Sequence, residues 1–357
     1  MRTRWITWAA VGFVAAVALL AGALVAFSRI ADFEIPAVTA KGVGFEHGGA
    51  TLQGTLLEPS DTGPILLIVH GDGAQDRWSD TGYLPLVNAL IDAGVSVFSW
   101  DKPGVGASSG NWLHQTMQNR AAEVSEALAA VRALPGNADR PIGLLGLSQA
   151  GWVVPRVPSL TDEVNFLVLI GPAINWRDQG RYFAKVRLSR NGWALDGIAA
   201  ELDRQAESDQ RRFGPSATYR DYVAAERAAG LPEDEILTED RFGFIQLNLG
   251  EDAGKHIAGL TLPVLLLMGA DDLNVDAKET VAVYRELIGV AHPLNRIHLI
   301  PGANHELLDA RYYNYQLPNQ WPFAAKVRFA LAGRDAYALG VIDTIVGWID
   351  ETAGMTQ

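Results

Sequence analysis

The chain has 357 residues, 36 of them Gly and none Cys, and its 29 Lys and Arg against 41 Asp and Glu leave a net charge of −12. The acidic balance argues against a nucleic-acid backbone as partner, and the missing Cys excludes disulfides, thiolate metal sites and a cysteine nucleophile. With 48% hydrophobic and 20% charged residues the chain is no disordered tail, and its length fits about two units of roughly 150 residues or one large α/β domain.

The first element in chain order is apolar. From Trp5 to Phe27 only Thr7, Gly12 and Gly22 interrupt the hydrophobic residues, and no charge lies between Arg4 and Arg29. About 20 such residues at roughly 1.5 Å each span a hydrocarbon core of about 30 Å. The run predicts a transmembrane helix within residues 1–30, an uncleaved single-pass anchor. Arg2 and Arg4 before it place the remainder on the extracytoplasmic side. The alternative is a signal peptide, cleaved after small residues such as Ala26 to leave a secreted protein, although its apolar region is longer than the usual 7–15 residues or so. Without residues 1–30, the chain carries 26 basic and 41 acidic residues, a net of −15.

Beyond Pro36 strands and helices alternate. Val43–Glu46 and Thr51–Leu57 flank His47-Gly48-Gly49 and predict a hairpin. Apolar runs at Ile65–Val69, Val95–Trp100, Ile142–Leu147, Asn165–Ile170 and Val264–Met268 predict buried strands, and Arg296–Ile300 the last strand. Helices are expected at Leu84–Ala93, Ala121–Leu134, after Leu147, at about Asp276–Ile288 and at Ala336–Glu351. Such alternation means a mostly parallel sheet with helices on both faces, with functional residues at the strands' carboxyl ends. Between Ala173 and Leu260 the alternation stops: the stretch is charged and helical, too long for a plain loop. It reads as a helical insert over the sheet's carboxyl edge, the alternative being an extra layer elsewhere. The expected organisation is 1–30 anchor, 31–172 core, 173–260 insert and 261–357 core.

Three strand ends each deliver one reactive residue. Ile142–Leu147 runs into Gly146-Leu147-Ser148-Gln149-Ala150-Gly151, a G-x-S-x-A variant of the nucleophile elbow, which forces the Ser backbone into strain and exposes its hydroxyl at a helix start. Val264–Met268 runs into Gly269-Ala270-Asp271-Asp272, where an acid that orients a His belongs; two Asp compete, and the G-x-x-D spacing favours Asp272. Arg296–Ile300 runs into Pro301-Gly302-Ala303-Asn304-His305, a loop His suited to general base work. His298 lies inside the strand and reads as packed. Ile65–Val69 leads to His70-Gly71-Asp72-Gly73, the loop expected to give one oxyanion donor from the Asp72 backbone N–H, with the second from Gln149. The Asp72 carboxylate should turn away from the developing charge, and His70 reads as structural. No phosphate-loop or dinucleotide fingerprint is present.

The order Ser148, Asp272, His305, with the His70-Gly71 loop, resembles the α/β-hydrolase fold superfamily. HGDGAQDR at His70–Arg77 is similar to the HGSGPQDRD-like loop of a bacterial branch grouped with dienelactone-hydrolase-like and serine-aminopeptidase-like esterases. WDKPGVGASSG at Trp100–Gly110 is similar to that branch's Asp-x-x-Gly-x-Gly-x-Ser segment. The resemblance implies an α/β-hydrolase fold with a helical cap at the insert, and structural roles for Asp101 and Gly104. It departs at Asp72, where Ser is common, and at Ala150, where Gly is common. The expectation is a serine hydrolase of the bacterial cell membrane that cleaves small carboxylic esters through Ser148, His305 and Asp272, with no metal or organic cofactor. A peptidase or thioesterase using the same residues, or a non-catalytic tethered binding module, are the alternatives. Arg177, Arg181, Arg187 and Arg190, interleaved with Trp176, Tyr182, Phe183 and Trp193, read either as a solvated helix or as an apolar acyl pocket with a cationic rim near anionic lipid.

Overall fold

The computed structural model describes residues 29–354. Strands β1 (Thr39–His47) and β2 (Ala50–Glu58) form the expected hairpin, each longer than the apolar pattern alone marks. Its two-residue turn places Gly48 at φ 56° and Gly49 at φ 82°, the left-handed pair that a type I′ turn requires. The remaining strands are β3 (Ile65–Val69), β4 (Ser96–Trp100), β5 (Ile142–Leu147), β6 (Phe166–Ile170), β7 (Val264–Gly269) and β8 (Arg296–Ile300). They assemble in the order β1-β2-β4-β3-β5-β6-β7-β8. The β1–β2 and β2–β4 pairs are antiparallel and the others parallel.

The central strands are continuous apolar runs because both faces are covered. Ile65, Leu67 and Val69 of β3 pack in one core with helices α1 (Met117–Arg132) and α2 (Ala277–Ile288). Leu66 and Ile68 pack in the other with helix α3 (Leu84–Asp92) and the C-terminal helix α4 (Val341–Gly354). Helix α1 begins four residues before the expected start, because Thr116 and Asn119 form a reciprocal cap. The C-terminal helix begins at Val341 rather than Ala336, since Gly340 sits at φ 81° just before it. After β5 the expected α-helix is replaced by two 3-10 turns, Ser148–Trp152 and Val154–Ser159. Pro155 and Pro158, which lack the N–H an α-helix needs, account for the break.

The expected transmembrane helix is corrected. Among the described residues no helix is long and apolar enough to cross a membrane. The longest, α5 (Leu195–Phe213), carries Asp, Glu and Arg along its length. The apolar run Trp5–Phe27 that predicted the anchor lies outside the described residues. Arg29, which follows it, is tied to the folded body by a 2.7 Å ion pair with Asp335.

Residues 173–260 contain α6 (Trp176–Arg190), α5, α7 (Tyr219–Ala228), α8 (Glu239–Asn248) and α9 (Gly254–Ala258). Ala184 and Leu188 of α6 pack on Ile198 and Leu202 of α5. Phe213, Tyr219, Tyr222 and Phe242 join α5, α7 and α8 by ring contacts. The insert reaches the carboxyl ends of the strands directly: Tyr182 Oη donates to the Asp272 carbonyl at 2.8 Å and Gln179 Nε2 to the Asn274 carbonyl at 3.0 Å.

Candidate active site

The turn after β5 is tight because small residues surround it. A Cβ on Gly146 would lie 2.8 Å from Val154 Cγ2, and one on Gly151 2.6 Å from Pro172 Cβ. Within this turn Ser148 sits at φ 50°, a left-handed conformation that costs a non-glycine residue about 1–3 kcal/mol. The short 3-10 turn leaves less aligned backbone dipole behind Ser148 than the expected α-helix would supply.

Ser148 Oγ lies 2.9 Å from His305 Nε2, and His305 Nδ1 lies 2.7 Å from Asp272 Oδ2. The other Asp272 oxygen accepts from the backbone N–H groups of Asn274 at 2.7 Å and Val275 at 2.9 Å. The Asp272 side chain is fully buried, whereas Asp271 is exposed. Of the two competing acids the structure therefore brings Asp272 to the imidazole. Burial of the ring works against the charged form of His305, but the Asp272 carboxylate outweighs it and holds the pKa above the ordinary 6.5. Buried Asn304 braces the histidine loop: its Nδ2 donates to the Tyr313 carbonyl, and its Oδ1 accepts from the N–H groups of Glu306 and Leu308. Gly171, at φ 56° after β6, lies directly against the histidine; a Cβ there would be 3.0 Å from His305 Nδ1 and 2.9 Å from its carbonyl oxygen.

The loop after β3 closes on the same turn, so that a Cβ on Gly71 would lie 3.4 Å from Ser148 Cβ. Asp72 and Gln149, the two expected backbone donors, meet here through their side chains: Gln149 Nε2 donates to Asp72 Oδ1 at 2.9 Å. The Asp72 carboxylate also accepts from Arg241 of α8. Burial opposes its charge, yet Arg241 and Lys102 hold the carboxyl below its ordinary range. His70 is buried, donates from Nε2 to the Trp100 carbonyl at 2.7 Å and stacks on Tyr83. Burial, reinforced by Lys102, lowers its pKa to about 3, which keeps the ring neutral. Asp101 accepts three hydrogen bonds from Arg77 and one from the Ala107 N–H, tying the two motif segments together.

Lys102, Arg120 and Arg241 carry no sequence signal for this site, and Tyr182, named only with the aromatics of a possible acyl pocket, instead holds the Asp272 carbonyl. Lys102 sits within the WDKPG motif, but nothing in the pattern shows that its buried Nζ donates to the carbonyls of Gly71 and Gly73. In the arginine-rich helix, Arg177 and Arg181 turn to Gln210 and Asp203 of α5, as a solvated helix face would. Trp176 stacks on Trp152 at 4.9 Å and so belongs to the core boundary.

Comparison with known proteins bears on the family and the fold. A family model described as serine aminopeptidase, S33, matches residues 61–310. No curated protein sequence matches the chain significantly. Among solved structures, the fold is similar to that of DcsB, captured with a substrate analogue (TM-score 0.57, 14% identity, covering 88% of this chain and 99% of that one). It is also similar to the α/β hydrolase GrgF from Penicillium sp. (TM-score 0.54, 15% identity, covering 89% and 100%). The esterase PF2001 of Pyrococcus furiosus gives a TM-score of 0.53 at 17% identity, covering 77% and 84%. At these identities the likeness establishes the α/β-hydrolase fold.

Proposed function

The chain belongs to the serine aminopeptidase, S33, family of hydrolases, and we propose that it is a serine esterase acting on small carboxylic esters. The observation that carries the reading is the continuous hydrogen-bonded chain from Ser148 Oγ through His305 to Asp272, with steps of 2.9 and 2.7 Å. Asp272 accepts from His305 Nδ1–H, which leaves Nε2 free to accept from the Ser148 hydroxyl. His305 takes that proton as Ser148 Oγ attacks the ester carbonyl. The carbonyl oxygen becomes an oxyanion held by the backbone N–H groups of Asp72 and Gln149. Collapse breaks the C–O bond, His305 Nε2–H protonates the departing alcohol, and an acyl-Ser148 remains. Water then attacks that acyl group, again giving its proton to His305, and the carboxylic acid leaves with Ser148 restored. Asp272 keeps the imidazole in the right tautomer and stabilises the imidazolium formed in each step.

Replacing Ser148 by Ala tests the assignment. It should abolish hydrolysis of a short p-nitrophenyl ester and labelling by a fluorophosphonate. Labelling that persists in the variant would place the nucleophile elsewhere. The family's aminopeptidase name favours one second reading, in which the same residues cleave an amide. A panel pairing each p-nitrophenyl ester with the matching aminoacyl p-nitroanilide separates the two. Anilide turnover that exceeds ester turnover would favour the peptidase.

A further inference from the structure

The side chains of Asp72 and Gln149 are bonded to each other, and the pair is gripped from two sides. From the core, buried Arg120 donates through Nη1 to Gln149 Oε1 at 2.6 Å and through Nη2 to the His70 carbonyl at 2.8 Å. From the insert, Arg241 places Nη1 3.2 Å from Asp72 Oδ1 and Nη2 2.9 Å from Asp72 Oδ2. Lys102 Nζ, 2.5 Å from the Gly71 carbonyl and 2.8 Å from that of Gly73, fixes the backbone on either side of Asp72. Given the acyl-transfer site proposed above, we infer that Arg241 is a positioning residue: acting through Asp72, it makes the oxyanion donors competent only when the insert is docked.

The reason is electrostatic. A carboxylate on the residue whose N–H is assigned to the oxyanion puts a like charge beside the charge that develops in the transition state. Lys102 makes no contact with it, because its Nζ donates to the two backbone carbonyls. The guanidinium of Arg241 does, in a forked pair that also aims the carboxylate away. Attachment of α8 to the core does not need this pair. The adjacent Asp240 already accepts from Asn111 Nδ2 at 2.8 Å and meets His114 Nε2 at 2.9 Å. Arg241 instead lies across the Trp112 and Phe244 rings, 5.7 and 5.2 Å from their centroids, which hold it over Asp72.

The experiment is a double-mutant cycle on the full chain with a short p-nitrophenyl ester. Arg241→Met leaves Asp72 without the forked guanidinium contact. It should lower kcat roughly ten- to hundredfold with KM within about threefold, because oxyanion stabilisation acts in the transition state. Adding Asp72→Asn removes the offending charge and should recover most of that loss. Arg241→Lys, which keeps the charge but loses the fork, should fall between wild type and Arg241→Met and provides a readout if the Met variant folds poorly. The inference is overturned if the double variant is as slow as Arg241→Met, the pattern of a plain latch, or if Arg241→Met keeps the wild-type kcat. Ser148→Ala separates the levels. If it is inactive while Arg241→Met is unimpaired, this inference alone falls; if it remains active, the esterase reading falls and this one with it.

Discussion

The sheet ends and the insert contribute to the site in different ways. Ser148, Asp272 and His305 stand on three turns that follow β5, β7 and β8, so parallel strands of one sheet bring them within hydrogen-bonding distance. Their placement is a property of the backbone. The insert contributes instead by single long side chains: Arg241 reaches Asp72 across 169 residues of sequence, and Tyr182 reaches the Asp272 carbonyl across 90. A strand-end site is locally encoded, whereas the insert's contribution rests on side chains that reach across the fold. Substitutions on the strand ends should therefore cost orders of magnitude, and substitutions on the insert much less.

The largest expected effect after loss of Ser148 is at Asp272. Asp272→Asn should lower kcat by about 10⁴, because the amide favours the wrong imidazole tautomer. Its pH profile sharpens the point. In the wild type the Asp272 carboxylate outweighs burial and raises His305, so the acid limb of kcat/KM should lie above pH 6.5. In Asp272→Asn only the Glu306 charge still opposes burial, and the limb should move to lower pH. A limb that stays in place would mean that another group is the base. The same linkage bears on stability. A pKa raised in the folded state adds stability that is complete below about pH 6.5, the unfolded value. It is lost as pH rises through the folded value. Urea titrations of wild type and variant across that window should converge at the alkaline end.

Gly171 comes next. Gly171→Ala combines a left-handed φ of 56° with a Cβ about 3 Å from the histidine ring and carbonyl. Displacing His305 by a fraction of an ångström should cost roughly ten- to hundredfold in kcat/KM. The backbone strain should cost about 1–2 kcal/mol in a denaturant titration. Full activity in this variant would mean that the turn after β6 does not set the histidine, against the strand-end half of the comparison.

The same division explains what could be read from the sequence. Strand runs, the type I′ turn at Gly48-Gly49 and the three reactive residues carry local signals, because each depends on a few neighbouring positions. The two Asp at the end of β7 were separable only by spacing; the structure decides by burial and by the hydrogen bonds Asp272 accepts from Asn274 and Val275. The turn after Ser148 defeats the helical expectation because Pro155 and Pro158 act on the second turn, beyond the motif. Arg120 on Gln149, Lys102 on two carbonyls and Arg241 on Asp72 are partnerships across the fold, and no periodicity reports them. The apolar run that predicted a transmembrane helix lies outside the described residues, and among those no helix is long and apolar enough to cross a membrane.

The smallest effect should come from Tyr182, another of the insert's contacts with the site. Its hydroxyl donates to the Asp272 backbone carbonyl, not to the carboxylate that meets His305. Tyr182→Phe removes one partly buried hydrogen bond worth about 1 kcal/mol and leaves the ring packing intact. It should lower the melting temperature slightly and kcat by no more than about threefold, with the acid limb of the pH profile unmoved. A shifted limb would show that the insert also tunes the imidazole through the β7 loop, and the line between a sheet-borne site and the insert would then have to be drawn beyond Asp272.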